Sequence, residues 1–154
     1  MNPHPTSCVA LALALIVGGC ATEEMPSKGS LAGSGVTLTF QRIVNLNGYQ
    51  AAELTLSNRS PLPVWYTGNT AENPVYDIQY SSGNTWEDSG DKWCVMGLES
   101  FQLASQQSVT FTAFVSFDER AARGVRVGVL CSPQEDYKAG VGRMYWSEKF
   151  TAPK

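Results

Sequence analysis

From residue 36 onward, apolar and polar side chains alternate along several short stretches of the chain. Every second position is apolar in the stretches 36–40, 52–56, 76–80, 109–115 and 125–129. A two-residue period is typical of a strand with one buried face. Clusters of Asn, Ser, Gly and Pro separate these stretches and indicate turns. The turn clusters lie at 45–48, 58–61, 81–84 and 132–133.

Further short strands are predicted where brief apolar runs remain, at 63–66, 100–103 and 143–146. Residues 118–123 can form one helical turn, but no stretch shows a longer apolar pattern with a helical period. No stretch shows the alternation of strands and helices that is typical of a parallel sheet. About seven to eight short strands with regular turns favour an antiparallel sandwich. The predicted fold class is therefore all-β, a single antiparallel immunoglobulin-like β-sandwich that spans residues 36–152.

Two segments of this domain resemble known modules. The run Leu54-Thr-Leu-Ser-Asn-Arg-Ser60, followed by Val64-Trp-Tyr66, is similar to the early strands of bacterial immunoglobulin-like modules. The run Leu103-Ala-Ser-Gln-Gln-Ser-Val-Thr-Phe111 is similar to a loop that leads into a late strand of such modules. The general sequence pattern of these segments is also similar to that of the intracellular proteinase inhibitor domain family. This resemblance implies the fold and adds proteinase inhibition as one alternative function.

The N-terminal region carries an apolar run, residues 8–17, that predicts export of the chain. A membrane-spanning helix needs about 20 apolar residues, so this run fits the apolar part of a secretory signal better. Directly after it, Val17-Gly18-Gly19-Cys20 resembles the lipobox of bacterial lipoproteins. That resemblance implies removal of residues 1–19 and lipidation of Cys20, and Ala21 implies the outer membrane where a cell has two.

One departure from the usual signal keeps two alternatives open. Residues 1–7 contain no Lys or Arg, whereas the start of a secretory signal is usually positive. Secretion without a lipid is one alternative, and a buried apolar segment with Cys20 as an ordinary thiol is the other. Residues 20–35 are rich in Gly and Ser, so we interpret them as the lipidated cysteine with a flexible tether that reaches about 20 Å.

Composition excludes several function classes. The net charge is −3 and the sequence pI is about 5.1, which gives no electrostatic basis for a nucleic-acid partner. The only histidine is His4, in the segment expected to be removed. Without an imidazole, the mature chain has no Ser-His-Asp or Cys-His catalytic system and no usual zinc site. We therefore predict no catalytic residues of these types, and we find no phosphate-binding or dinucleotide motif that would indicate a cofactor.

Cysteine usage predicts one disulfide. The lipobox resemblance implies that Cys8 is removed with the signal and that Cys20 carries the lipid, which would leave Cys94 and Cys131 in an oxidising compartment. In the chain-entropy model, a loop of this size stabilises the fold by about 4 kcal/mol. A redox-active pair is disfavoured because the sequence has no Cys-x-x-Cys motif.

Three acidic residues, Glu87, Asp88 and Asp91, cluster in one polar segment and are interpreted mainly as a solvated turn. Weak calcium binding through their oxygens is the sharper alternative, although the spacing is not that of an EF-hand. A further alternative is that these residues act as paired catalytic carboxylates on a glycan substrate.

Tryptophans supply the candidate binding residues. Trp65 is out of phase with its neighbours Val64 and Tyr66, so it is expected to face away from the core, and Trp86 and Trp93 flank the acidic segment. An exposed indole beside carboxylates could stack on a sugar ring or a protein partner, whereas the simpler interpretation is packing against the sheet. Arg120, Arg123 and Arg126 form a small positive set near a predicted bend and are expected to pair with nearby surface acids such as Asp118 and Glu119.

The leading functional hypothesis is a non-enzymatic lipoprotein of the bacterial cell envelope. It would be held to the membrane by its lipid and would bind an envelope protein or a cell-wall glycan, or fill a structural role. A carboxylate-dependent enzyme acting on glycans and a proteinase-inhibitor-like module are the alternatives.

Overall fold

Ten strands and one short helix form the regular structure of residues 35–90, 97–135 and 142–151, the part of the chain described by the computed structural model. These residues belong to one unit, 32–154. The strands are β1 (Val36–Leu46), β2 (Tyr49–Asn58), β3 (Val64–Thr70), β4 (Asn73–Pro74), β5 (Asp77–Ser82), β6 (Thr85–Asp88), β7 (Glu99–Leu103), β8 (Ser108–Ala113), β9 (Val125–Ser132) and β10 (Arg143–Trp146), and helix α1 (Glu119–Arg123) precedes β9.

The strands form two antiparallel sheets. The smaller sheet has the order β1-β2-β8. The larger sheet has the order β4-β3-β9-β5-β6, with β7 added beside β3 and β10 added beside β9. The prediction of an all-β, antiparallel sandwich is confirmed, although the number of described strands is higher than expected because β4 and β6 were not predicted as strands.

The first hairpin departs from simple alternation at one residue. The turn between β1 and β2 uses Asn47 and Gly48 with φ angles of 52° and 87°, a conformation typical of a tight two-residue hairpin. The Asn45 side chain accepts a hydrogen bond from the Gly48 N–H at 2.9 Å. The register of β1 against β2 shifts between Phe40 and Arg42, so Gln41 is an extra residue in a β-bulge. Alternation along the sequence breaks at this point, which is why β1 extends beyond the stretch that the pattern indicates.

The core lies between the sheets and is formed by the apolar phase of the strands. On β9, Val125, Val127 and Val129 are completely buried, and on β2 Leu54 and Leu56 are equally so. Fully burying such a side chain stabilises a fold by about 1.5–3 kcal/mol. The alternate positions of β9 therefore face away from the core, and they build the outer face of the larger sheet.

The predicted helical turn is present as α1. Asp118 caps it, because its carboxylate accepts a hydrogen bond from the Arg120 N–H at 2.8 Å. Ala121 is the buried residue of the helix. Among the described residues, no helix is long and apolar enough to cross a membrane.

A candidate binding face on the larger sheet

Strand alternation places several large side chains together on the outer face of the larger sheet. Arg126 of β9 lies on this face, out of phase with the buried valines on either side. Trp86 of β6 and Trp146 of β10 come from opposite flanks, since β6 follows β5 on one side of β9 and β10 pairs on the other. The guanidinium carbon of Arg126 lies 4.2 Å from the ring centroid of Trp86 and 4.5 Å from that of Trp146.

These distances are those of cation–π contacts, each of which contributes about 0.5–2 kcal/mol depending on solvent exposure. All three side chains are half-buried. Burial lowers the pKa of Arg126, and the nearby carboxylate of Asp88 acts in the opposite direction. The contacts therefore order a charged group on a surface where an arginine is usually mobile.

The side chain of Gln79 connects this arginine to Asp88. Its Oε1 accepts hydrogen bonds from Nε and Nη2 of Arg126 at 3.0 and 2.6 Å. Its Nε2 donates to Oδ1 of Asp88 at 2.6 Å. Asp77 lies two residues before Gln79 on the same face of β5, and burial together with the charge of Asp88 raises its pKa. We call the set Asp77, Gln79, Trp86, Asp88, Arg126 and Trp146 the indole–guanidinium cluster.

The close approach of Trp146 depends on a glycine. Gly128 is opposite Trp146 in the β9–β10 register, and a Cβ atom at Gly128 would lie 2.6 Å from Cε3 of that indole. A glycine inside a strand often marks such a close approach. This glycine, together with the phase of Arg126, is the sequence signal that could have identified Trp146, which was not among the candidate residues predicted from the sequence.

The outer face continues beyond the cluster toward Trp65. Trp65 pairs with Ser132 of β9, whereas its neighbour Tyr66 is buried opposite Cys131, so Trp65 lies on the outer side. Met144 pairs with Leu130 between these positions, and both are half-buried. The structure thus places Trp65 and Trp86 on one face, and Trp93 lies outside the described residues.

Two of the three acidic residues lie in a strand and not in the turn that the sequence predicted. Glu87 and Asp88 belong to β6, where they pair with Tyr80 and Gln79. Neighbouring residues of a strand point to opposite faces, so these two carboxylates are not arranged to bind one calcium ion together. Asp91 lies outside the described residues. Within the described ranges, no group of three or more His, Cys, Asp or Glu side chains could hold a metal ion.

The expected arginine pairs are found in part. Arg120 forms an ion pair with Asp118 at 2.9 Å. For Arg126 the expectation is wrong, because strand alternation directs this residue onto the sheet face, where Gln79 and the indoles are its partners.

Cys131 is a buried free thiol among the described residues, and burial raises its pKa to about 12. Cys94 lies outside the described residues, so the disulfide stays a prediction.

No protein-family model matches the chain, and no curated protein and no solved structure is significantly similar to it.

Proposed function

We propose that this chain is a lipid-anchored, non-enzymatic module of the bacterial cell envelope that binds its ligand on the outer face of the larger sheet. The ligand would be a glycan or a protein of that compartment. The observation that carries the binding proposal is the indole–guanidinium cluster, where Trp86 and Trp146 flank Arg126 on a solvent-facing surface. Aromatic residues and arginine are the side chains most enriched at binding hot spots.

The membrane address is supported by the resemblance of Val17-Gly18-Gly19-Cys20 to a lipobox. Several acyl chains on one cysteine give stable anchoring, since each buried CH₂ contributes about 0.8 kcal/mol. We expect Cys20→Ser to move the protein from the membrane fraction to the soluble fraction. Cys8→Ser is the matched control and should leave the protein in the membrane. Equal membrane association of all three proteins would refute lipid anchoring at this position.

The binding face can be tested with isolated cell envelopes. We expect Trp86→Ala to weaken envelope binding about tenfold, the loss that follows when a contact worth about 1.4 kcal/mol is removed. Tyr49→Ala is the matched control, because Tyr49 is 71% exposed but lies at the tip of the first hairpin. Binding that is unaffected by Trp86→Ala, or that falls equally in both variants, would refute this face as the binding surface.

A carboxylate-dependent glycan-active enzyme is the second candidate. It is favoured by the direction of the pKa shift of Asp77, which burial and the charge of Asp88 both raise, because an acid catalyst needs a pKa above the ordinary carboxyl value. Glu87, selected from the sequence, is exposed on the edge strand β6 and is not part of this pair. Release of reducing ends from a polysaccharide, abolished by Asp77→Asn, would support the enzyme. Release that is unchanged in this variant would exclude Asp77 as its acid.

A further inference from the structure

The indole–guanidinium cluster presents charges of both signs within one patch. Arg126 is positive, and Asp88 and Asp77 are negative. The described ion pairs join Arg42 to Glu53 and Arg120 to Asp118, so Arg126 differs from these two arginines in being held by a neutral amide. Among the described residues, the carboxylate of Asp88 acts on the charge of Arg126 through space and not as a direct ion pair.

The amide of Gln79 sets the spacing of these charged groups. One end of the amide accepts from Arg126 and the other donates to Asp88, so a donor group and an acceptor group lie side by side on the sheet. Gln79 is only 4% exposed, and this burial fixes its orientation. The arrangement is thus preorganised before a ligand arrives, which reduces the ordering that binding would require.

This charge pattern disfavours ionic ligands. An anionic group would be repelled by the carboxylates of Asp77 and Asp88, and a cationic group would be repelled by the guanidinium of Arg126. A hydroxyl group suits the patch better, because it can accept from a guanidinium and donate to a carboxylate. Two neighbouring hydroxyls on one ring would use both functions together.

The tryptophans specify the rest of the ligand. Trp86 and Trp146 are half-buried indoles, and the guanidinium of Arg126 lies over one face of each ring, so a ligand would stack on the opposite face. A pyranose ring has the matching form, with a C–H face for an indole and hydroxyls at its rim. Leu130 and Met144 extend the apolar surface along the sheet toward Trp65, as a chain of several sugar units would need.

We infer that the indole–guanidinium cluster binds an uncharged oligosaccharide. Its hydroxyls contact Arg126 and Asp88, and its ring stacks on the indole face that is turned away from Arg126. This inference rests on the proposed function and narrows it from an envelope glycan or protein to a neutral glycan.

The test measures binding of matched oligosaccharides to the purified protein by calorimetry near pH 6. The neutral probes are the fully N-acetylated chitin hexamer and maltohexaose, the cationic probe is the fully deacetylated chitosan hexamer, and the anionic probe is hexagalacturonate. We expect at least one neutral probe to bind about tenfold or more tightly than either charged probe. We expect Trp86→Ala to weaken neutral binding at least about tenfold, and Tyr49→Ala to leave it unchanged.

A charge variant tests the reason for this selectivity. Asp88→Asn keeps an oxygen acceptor for Gln79 but removes one negative charge, so it should reduce the discrimination against hexagalacturonate. Thermal melting checks that each variant is folded, and Trp86→Phe serves if the alanine variant is not. The inference is overturned if neither neutral probe binds, if a charged probe binds best, or if binding does not depend on Trp86. If envelope binding still depends on Trp86 in that case, the proposed function stands and only the neutral-glycan inference fails.

Discussion

Asn58 connects three segments of the sandwich, and its replacement by aspartate should destabilise the fold strongly. The side chain is completely buried at the end of β2. Its Nδ2 donates to the carbonyl oxygens of Leu62 and Leu103 at 2.9 and 3.0 Å. Its Oδ1 accepts from the backbone N–H and the hydroxyl of Ser60 at 3.0 and 2.6 Å. Asn58→Asp preserves the shape of this side chain but replaces the donor with an oxygen that faces two carbonyl oxygens.

The magnitude follows from the protonation state of the introduced carboxyl group. When protonated, this group can donate to one carbonyl and leaves the other unpaired, which costs about 1–3 kcal/mol. Keeping a buried carboxyl protonated at pH 7 requires a pKa raised by about three units from its usual value near 4, a further penalty of about 4 kcal/mol. The folded-state pKa is raised, so this second penalty is absent below pH 4 and grows as the pH rises. We expect a loss of about 2 kcal/mol near pH 3 and about 6 kcal/mol at pH 7.

Urea unfolding of wild type and variant at both pH values measures the two losses. Asn45→Asp is the matched control, because Asn45 is exposed and its hydrogen bond to Gly48 needs only an oxygen acceptor. The control should unfold with nearly the wild-type free energy. A loss for Asn58→Asp that is below about 1 kcal/mol, or that is the same at both pH values, would refute the donor role of Nδ2 in the buried network.

Three further predictions concern the larger sheet and the cysteines. Gly128→Ala should displace the indole of Trp146, reduce the free energy of unfolding by about 1–3 kcal/mol and shift tryptophan fluorescence; unchanged emission and stability would contradict the close approach. The pKa of Asp77 is raised from 3.8, so its ionisation opposes folding as the pH rises; Asp77→Asn should therefore be more stable relative to wild type at pH 7 than at pH 4, and the reverse order would show a lowered pKa. Buried Cys131 should resist alkylation in the native protein, and if the predicted bond to Cys94 forms, unfolded but unreduced protein should also resist; labelling of unfolded, unreduced protein would show free thiols.

The strands were predictable because their signal is local. On β9, the alternation of valines with Arg126 and Gly128 identifies both the strand and its buried face. The indole–guanidinium cluster was only partly predictable, since it depends on which distant strands become neighbours. Trp146 and Trp86 are 60 positions apart in the sequence and meet on either side of Arg126 only because β10 and β5 flank β9. Local charge spacing suggested acidic partners for Arg126, and the sheet supplied aromatic ones instead.

Asn58 illustrates a different limit of sequence-based prediction. Its position before Arg59, Ser60 and Pro61 indicates a turn, and the chain bends at residues 60–62. The inward phase of β2 continues to Asn58, but the pattern gives no information on the partners of its side chain, because the carbonyl that it contacts on Leu103 lies 45 residues away. Long-range hydrogen bonds of this kind are decided by the packing of loops against each other rather than by residue type.

The bulge at Gln41 also affects how copies of the protein meet one another. Strand β1 borders the smaller sheet, so part of its backbone faces no neighbouring strand within that sheet. An edge strand can pair with a strand of an identical chain and so start aggregation. A bulge discourages this pairing because it increases the local twist of the edge strand. Deleting Gln41 would leave the inward side chains inward, since Arg42 already pairs with Glu53, but it would straighten the border. We therefore expect deletion of Gln41 to lower the solubility of the protein while leaving its interior unchanged.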